Sequence, residues 1–245
     1  MKIDWKIQTY DRILSTQDRL KNDILGNPAL PEGTVIHAHH QDGGHGRYGR
    51  VWQSDAENLT LSFLIRPKCS IDKIGQVAIL TGLAISNVID QVIDTSCKSL
   101  LKWPNDILIK DKKCCGILID ASPLIDGKVP YLIIGIGVNI ASSPLDTSTC
   151  LQDHTKDTVH CDDFMKELLS SFSICYMQWQ NDGFELIRSQ WLAKTYKAGC
   201  PVGVKLDMDQ VQGTFDTIDM LGNLVITCGK TGEKRKITSG EVFLL

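Results

Sequence analysis

Apolar positions along the chain recur at two periods, and each period predicts its own elements. Leu59-Thr-Leu-Ser-Phe-Leu-Ile65 alternates with period two, the pattern of a half-buried strand. Thr34 to His40 reads as another strand. Ile74, Val77, Leu80, Ala84, Val88 and Val92 recur at steps of three and four, predicting a largely buried helix. Residues 11–25 read as a helix entered past Asp11 and stopped near Gly26-Asn27-Pro28. Short strands are expected around Leu100–Trp103, Ile107–Lys110 and Gly116–Ala121, with Asp111-Lys112 turning between the last two. Tyr131–Ile140 is apolar enough for a central strand buried on both sides. A further helix is expected from about Asp162 to Gln180, with the stripe Phe164, Leu168, Phe172, Cys175 and Trp179 and with Asp162 as N-cap. After Gly199-Cys-Pro201 the pattern changes to five short strands: Val202–Leu206, Val211–Ile218, Asn223–Thr227, Arg235–Thr238 and Glu241–Leu245. Their turns are rich in Gly, Asp and Asn. Five strands of this length suggest a small barrel docked on a larger unit.

Composition narrows the class. The chain has 245 residues, 42% hydrophobic and 22% charged, as in ordinary globular proteins. No apolar run approaches the ~18–20 residues of a membrane span, and the N-terminus lacks signal-peptide features. A net charge of −3 argues against a dedicated nucleic-acid binder. Nine cysteines without a C-x-x-C spacing suit free thiols in a reduced cytoplasm. Cys114 and Cys115 read as packing residues. His37 and His39 share a strand face, but no nearby acidic or thiol set completes four zinc ligands.

Candidate chemistry concentrates in Gln41-Asp-Gly-Gly-His-Gly-Arg-Tyr-Gly-Arg-Val-Trp52. Glycines let backbone N–H groups approach a ligand, and arginines bind phosphate or carboxylate oxygens. Alone, this stretch is as readily a solvated basic turn with Trp52 in the core. Lys102-Trp-Pro-Asn-Asp106 is more specific: proline favours an extended residue before it and presents Asn105 and Asp106 at a strand end. Lys113-Cys-Cys-Gly-Ile117 and Gly135-Ile-Gly-Val-Asn139 follow. Lys113 alone could equally be a solvated hairpin lysine, and the glycines of 135–139 a bulged strand.

In this order the segments resemble the biotin protein ligases. That resemblance implies an α+β fold, with a mixed sheet and flanking helices in a class II synthetase-like catalytic domain (residues 1–198). An SH3-like barrel would follow it (199–245). It implies a two-step reaction: biotin and ATP give biotinyl-5′-AMP, and a lysine of a biotin carboxyl carrier protein then takes the biotinyl group. Two anions must meet, so fixed positive charge is needed; by resemblance Lys113 and Arg47 are the catalytic pair. Ser15, Thr16, Gln41, Gly44, His45, Gly46, Arg47, Lys113 and Gly116 would bind biotin. Arg50, Trp52, Asn105, Asp106 and Asn139 would bind the nucleotide, with Asp106 also near Mg²⁺.

The family loop usually reads Gly-Arg-Gly-Arg, so His45 is a departure. Gln17 departs from the Asn of the family's Ser-Thr-Asn. Ser239-Gly-Glu-Val resembles the family's closing segment. The ligase pattern starts within the first twenty residues, so no helix-turn-helix is expected before it. Exposed strand edges leave a homodimer open. The rival readings are a lipoate or octanoate ligase or transferase of the same fold, and a non-catalytic biotin-binding module.

Overall fold

The computed structural model describes residues 3–53, 55, 57–206, 209–229 and 231–245. Seven strands form one sheet and five a second. The first strand, β1 (Lys6–Ile13), lies where the chain was expected to begin a helix. It is an edge strand with no fully buried position, so it carries no period-two apolar signal. It pairs in parallel with β2 (Thr34–Gln41), from Lys6↔Thr34 to Ile13↔Gln41. Helix α1 therefore starts later, at Thr16, and runs to Gly26. Asp11 is a strand residue, and Ser15 is the N-cap, its Oγ accepting the Asp18 N–H at 3.2 Å.

Strand β3 (Leu59–Ile65) has the predicted bounds, but all seven residues are buried. Its alternation separates an apolar core from a polar interior, not from solvent. Thr60 Oγ1 donates to the Ala38 carbonyl at 2.7 Å, and Ser62 Oγ donates to Gln17 Oε1 at 2.9 Å. Helix α2 (Ile74–Val92) matches its periodicity. β4 (Ser99–Lys102), β5 (Asp106–Ile109) and β6 (Lys112–Ala121) form a meander. The β5–β6 turn is Lys110-Asp111, both left-handed at φ 48° and 63°. That is one residue earlier than expected, because Lys112 already pairs with Ile109.

β7 (Leu132–Val138) occupies the centre of the order β1-β2-β3-β7-β6-β5-β4, in which every ladder but the first is antiparallel. Helix α3 spans Cys161–Asp182. Its N-cap is His160, which makes no side-chain capping bond; Asp162, expected as the cap, sits with Asp163 in the first turn, where a carboxylate favours the helix dipole. A short helix, α4 (Glu185–Leu192), has two buried residues, too few to show a period.

Alternation along β7 assigns its two faces. Ile134, Ile136 and Val138 join the large core with residues of α2, α3 and α4. Ile133 packs under α1 with Leu20, Ile24, Ile36 and Leu64, which puts Gly135 and Gly137 on the α1 face. In the large core the Phe63 and Phe172 rings meet edge to face, centroids 4.7 Å apart, and Phe172 stacks on Tyr176. Phe172→Ala is expected to cost about 3–5 kcal/mol in urea unfolding; a loss below ~1 kcal/mol would show that this cluster does not carry the core.

β8 (Pro201–Lys205), β9 (Gln210–Ile218), β10 (Leu224–Cys228), β11 (Lys234–Ile237) and β12 (Glu241–Leu244) form an antiparallel sheet in the order β11-β10-β9-β8-β12, in keeping with an SH3-like unit. Its turn at residues 219–223 grips the main unit: Trp103 Nε1 donates to the Gly222 carbonyl at 2.9 Å, and Gln76 Nε2 to the Met220 carbonyl at 2.6 Å. Val202, Phe215 and Val242 belong to the same continuous core as α2 and α3. Among the described residues no helix is long and apolar enough to cross a membrane.

Candidate active site

A cavity of about 430 Å³ opens on the α1 face of the large sheet. Its floor is cleared by the two glycines of β7. Gly137 pairs with Gly116 of β6, and the Trp52 indole lies across them. A Cβ on Gly137 would fall 2.2 Å from the indole Cε2, and one on Gly116 3.2 Å from Cζ3. The absence of side chains at this pair is what admits the ring.

The glycine-rich segment folds as a tight hairpin. Trp52 N–H donates to the Gly44 carbonyl at 2.8 Å and Gly46 N–H to the Arg50 carbonyl at 2.7 Å. Tyr48 and Gly49, at φ 58° and 70°, make the reversal. The two arginines reach the C-terminal sheet. Arg47 donates to Asn105 Oδ1 at 3.3 Å, to the Gly240 carbonyl at 3.2 Å and to Ser239 Oγ at 3.4 Å. Arg50 grips Glu241 with both guanidinium Nη atoms, Nη1–Oε1 being 2.9 Å. That hydrogen-bonded pairing with Arg50 holds the Glu241 carboxyl below its usual range, although partial burial opposes it.

Lys113 Nζ sits 2.6 Å from Asp106 Oδ1 and 5.7 Å from the centre of the Trp52 ring. Asn105 is clamped to β6, its Nδ2 donating to the Ile117 carbonyl at 2.7 Å while its own carbonyl accepts the Ile117 N–H at 3.0 Å. Asn139 Nδ2 donates to the Thr149 carbonyl at 3.1 Å. Its Oδ1 and Trp52 Nε1 are buried in the cavity wall without a hydrogen-bond partner among the described residues. Buried polar atoms in that state are costly unless a ligand meets them.

At the other end of the cavity lie Ser15, Thr16 and Gln41. Gln41 Oε1 accepts the Thr16 N–H at 2.7 Å. His45 also lines the cavity, with Nε2 3.8 Å from Asp18 Oδ1 and Nδ1 3.3 Å from the Gly43 carbonyl. Gln17 turns along the floor toward Asp120 and Ile133. Cys114 and Cys115 are fully buried, and burial pushes both thiols up, as befits packing residues. Burial, reinforced by neighbouring His39, lowers the pKa of His37. Among the described residues no three His, Cys, Asp or Glu side chains converge to hold a metal.

Thus one cavity gathers residues from all five expected segments. Glu241 and Ser239 were missed as site residues, although the Ser239-Gly-Glu resemblance was a signal for them. Ser62, which lines the cavity, and Asp120, which accepts from Gln17 without lining it, carry no motif that marks them.

The model of the Biotin/lipoate A/B protein ligase family matches residues 10–139. The chain is 29% identical to the biotin–[acetyl-CoA-carboxylase] ligase of Paracoccus denitrificans, over 88% of this chain and 92% of that protein. It is 30% identical to the bifunctional ligase/repressor BirA of Bacillus subtilis, over 84% of this chain and 63% of that protein. The solved biotin protein ligase from Aquifex aeolicus in complex with biotin and ATP superposes with a TM-score of 0.81, at 26% identity over 98% of both chains. The matched segment carries the strands, the glycine hairpin and the Asn105-Asp106 turn that enclose the cavity, and the chain belongs to the biotin/lipoate A/B protein ligase family.

Proposed function

We propose that the chain activates biotin with ATP as biotinyl-5′-AMP and passes the biotinyl group to a lysine of a biotin carboxyl carrier protein. The observation that carries this reading is a single cavity with two chemically different ends. At one end lie two hydrogen-bond donors. Ser15 Oγ already accepts the Asp18 N–H, so its own proton is free to donate. Gln41 has its oxygen on the Thr16 N–H, leaving Nε2 to donate. Two converging donors suit the carbonyl oxygen of a cyclic urea. A lipoyl or octanoyl chain offers no such acceptor and would strand both, at about 1–3 kcal/mol each.

At the other end stand Lys113, Trp52, Asp106 and the open oxygen of Asn139. In this reading Lys113 and Arg47 offset the charge that builds as the biotin carboxylate attacks the α-phosphorus and pyrophosphate leaves. Trp52 stacks near the adenine, with Asn105 and Asn139 around the nucleotide. Arg50 serves the phosphates once it leaves Glu241. Gly44, His45, Gly46 and Gly116 border the biotin chain. Of the two carboxylates that line the cavity here, Glu241 is held by Arg50, so Mg²⁺ would arrive on the nucleotide, with Asp106 adding a single oxygen. Bound there, the ion would supply further positive charge to the phosphates. In the second step the acceptor lysine attacks the acyl carbon and AMP leaves. Residues 1–198 would carry this chemistry, and 199–245 would brace it through Glu241 and Gly240.

The test is pyrophosphate release from MgATP with biotin, lipoate or octanoate offered separately. Release with biotin is expected. Release with lipoate or octanoate alone would replace the substrate, and biotin binding without release would reduce the chain to a binding module.

A further inference from the structure

Beneath the polar end of the cavity, four side chains join end to end. Gln17 Nε2 lies 3.2 Å from Asp120 Oδ2 and 3.2 Å from the Ile133 carbonyl oxygen. Gln17 Oε1 is 2.9 Å from Ser62 Oγ, which is 2.9 Å from Thr16 Oγ1. Thr16, Gln17 and Ser62 are 3%, 4% and 0% exposed, so their hydrogen bonds are made within the protein or to a ligand. Gly135 makes room for the chain, since a Cβ there would lie 2.6 Å from Gln17 Oε1.

The proton positions follow from the partners. A main-chain carbonyl only accepts, so the Gln17 group facing Ile133 must be its NH₂; the reverse amide would aim oxygen at two acceptors. Both Gln17 protons are then committed, to Ile133 and Asp120. Its Oε1 can only accept, so Ser62 spends its single hydroxyl proton there. Ser62 Oγ can then only accept from Thr16, which spends its own proton in turn. What Thr16 has left for the cavity is a lone pair.

We infer that the chain Asp120–Gln17–Ser62–Thr16 is a specificity determinant that fixes the Thr16 hydroxyl as an obligatory acceptor, so that the acid must bring an N–H donor to that point. The inference rests on the adenylation reading above and specifies which feature of the acid is selected. Together with Ser15 and Gln41, the polar end presents two donors and one acceptor, the complement of a urea carbonyl with its adjacent N–H. Asp120, Gln17 and Ser62 are positioning residues, since they act through Thr16. A site that must receive a hydrogen bond rejects an analogue lacking it far more strongly than a site that merely accommodates a shape.

The test compares kcat/KM for pyrophosphate release with biotin and with its two carbamate analogues, in which one or the other urea N–H is replaced by a ring oxygen. In the wild type, the carbamate lacking the N–H that faces Thr16 should be worse than biotin by on the order of 100-fold. In Ser62→Ala the Thr16 proton is released and can donate to the ring oxygen. That carbamate penalty should then shrink below about tenfold, even though the rate with biotin also falls. Gln17→Leu removes what holds the Ser62 proton and should shrink the penalty in the same way, so either folded variant decides the matter. Equal slowing of all three acids, with the penalty unchanged, would leave these residues a purely structural role and overturn the relay. Wild-type carbamates that both match biotin would overturn it without any variant. No release with biotin in the wild type would instead overturn the substrate itself, a failure distinct from an active enzyme with an unchanged penalty.

Discussion

Lys113→Ala is expected to lower biotin-dependent pyrophosphate release by about 10²–10³-fold, the usual effect of deleting one fixed group that meets charge developing in the transition state. The ammonium lies against Asp106 at 2.6 Å, and the Asp106 side chain is only 15% exposed. Removing it does two things. It takes away the cation that would stand between carboxylate and phosphate, and it leaves Asp106 facing an incoming nucleotide with its charge uncompensated. Lys113→Ala/Asp106→Asn should therefore recover part of the loss in KM for ATP while kcat stays low. A Lys113→Ala enzyme within tenfold of wild type would remove this residue from the chemistry. A double variant whose effects simply add would instead show that Lys113 and Asp106 do not offset each other's charge.

Gly137→Ala should raise KM for ATP by about ten- to a hundredfold, from an overpacking cost of about 1–3 kcal/mol. The added methyl would sit 2.2 Å from the Trp52 Cε2, far inside any permitted contact, so the indole must leave the floor. Gly116→Ala, at 3.2 Å, asks for a shift of a few tenths of an ångström and should be several-fold milder. The decisive comparison is in a Trp52→Ala background. With no ring to displace, Gly137→Ala should add almost nothing. Full additivity would show that the glycine is required for some reason other than admitting the indole.

Much of the scaffold could be read from apolar periodicity, because its central elements bury one or both faces: α2, β2, β3, β7 and the five C-terminal strands lie close to their predicted bounds. β1 escaped because an edge strand with an exposed face does not alternate, and α4 because two buried residues make no period. β3 shows a subtler limit. Its polar positions obey the alternation expected of a solvent face, yet Thr60 and Ser62 are buried, Thr60 on the Ala38 carbonyl and Ser62 in the cavity wall. At the site, the motifs named segments that the fold gathers around one cavity. They could not show which side chains would meet across the chain: Arg50 finds Glu241 at a separation of 191 residues and Gln17 finds Asp120 at 103. Such pairs are set by strand register and by how the second sheet docks, neither of which leaves a local trace in composition.

The grip of Arg50 on Glu241 makes nucleotide arrival an exchange rather than an addition. A phosphate taking Arg50 would displace a carboxylate already there, so the number of anions on that guanidinium would stay constant. The displaced carboxylate would remain within the influence of Lys102 and Lys113, whose charges already favour its ionised form. The hairpin would then trade one of its tethers to the C-terminal sheet for a tether to the substrate, and release of pyrophosphate would hand the arginine back.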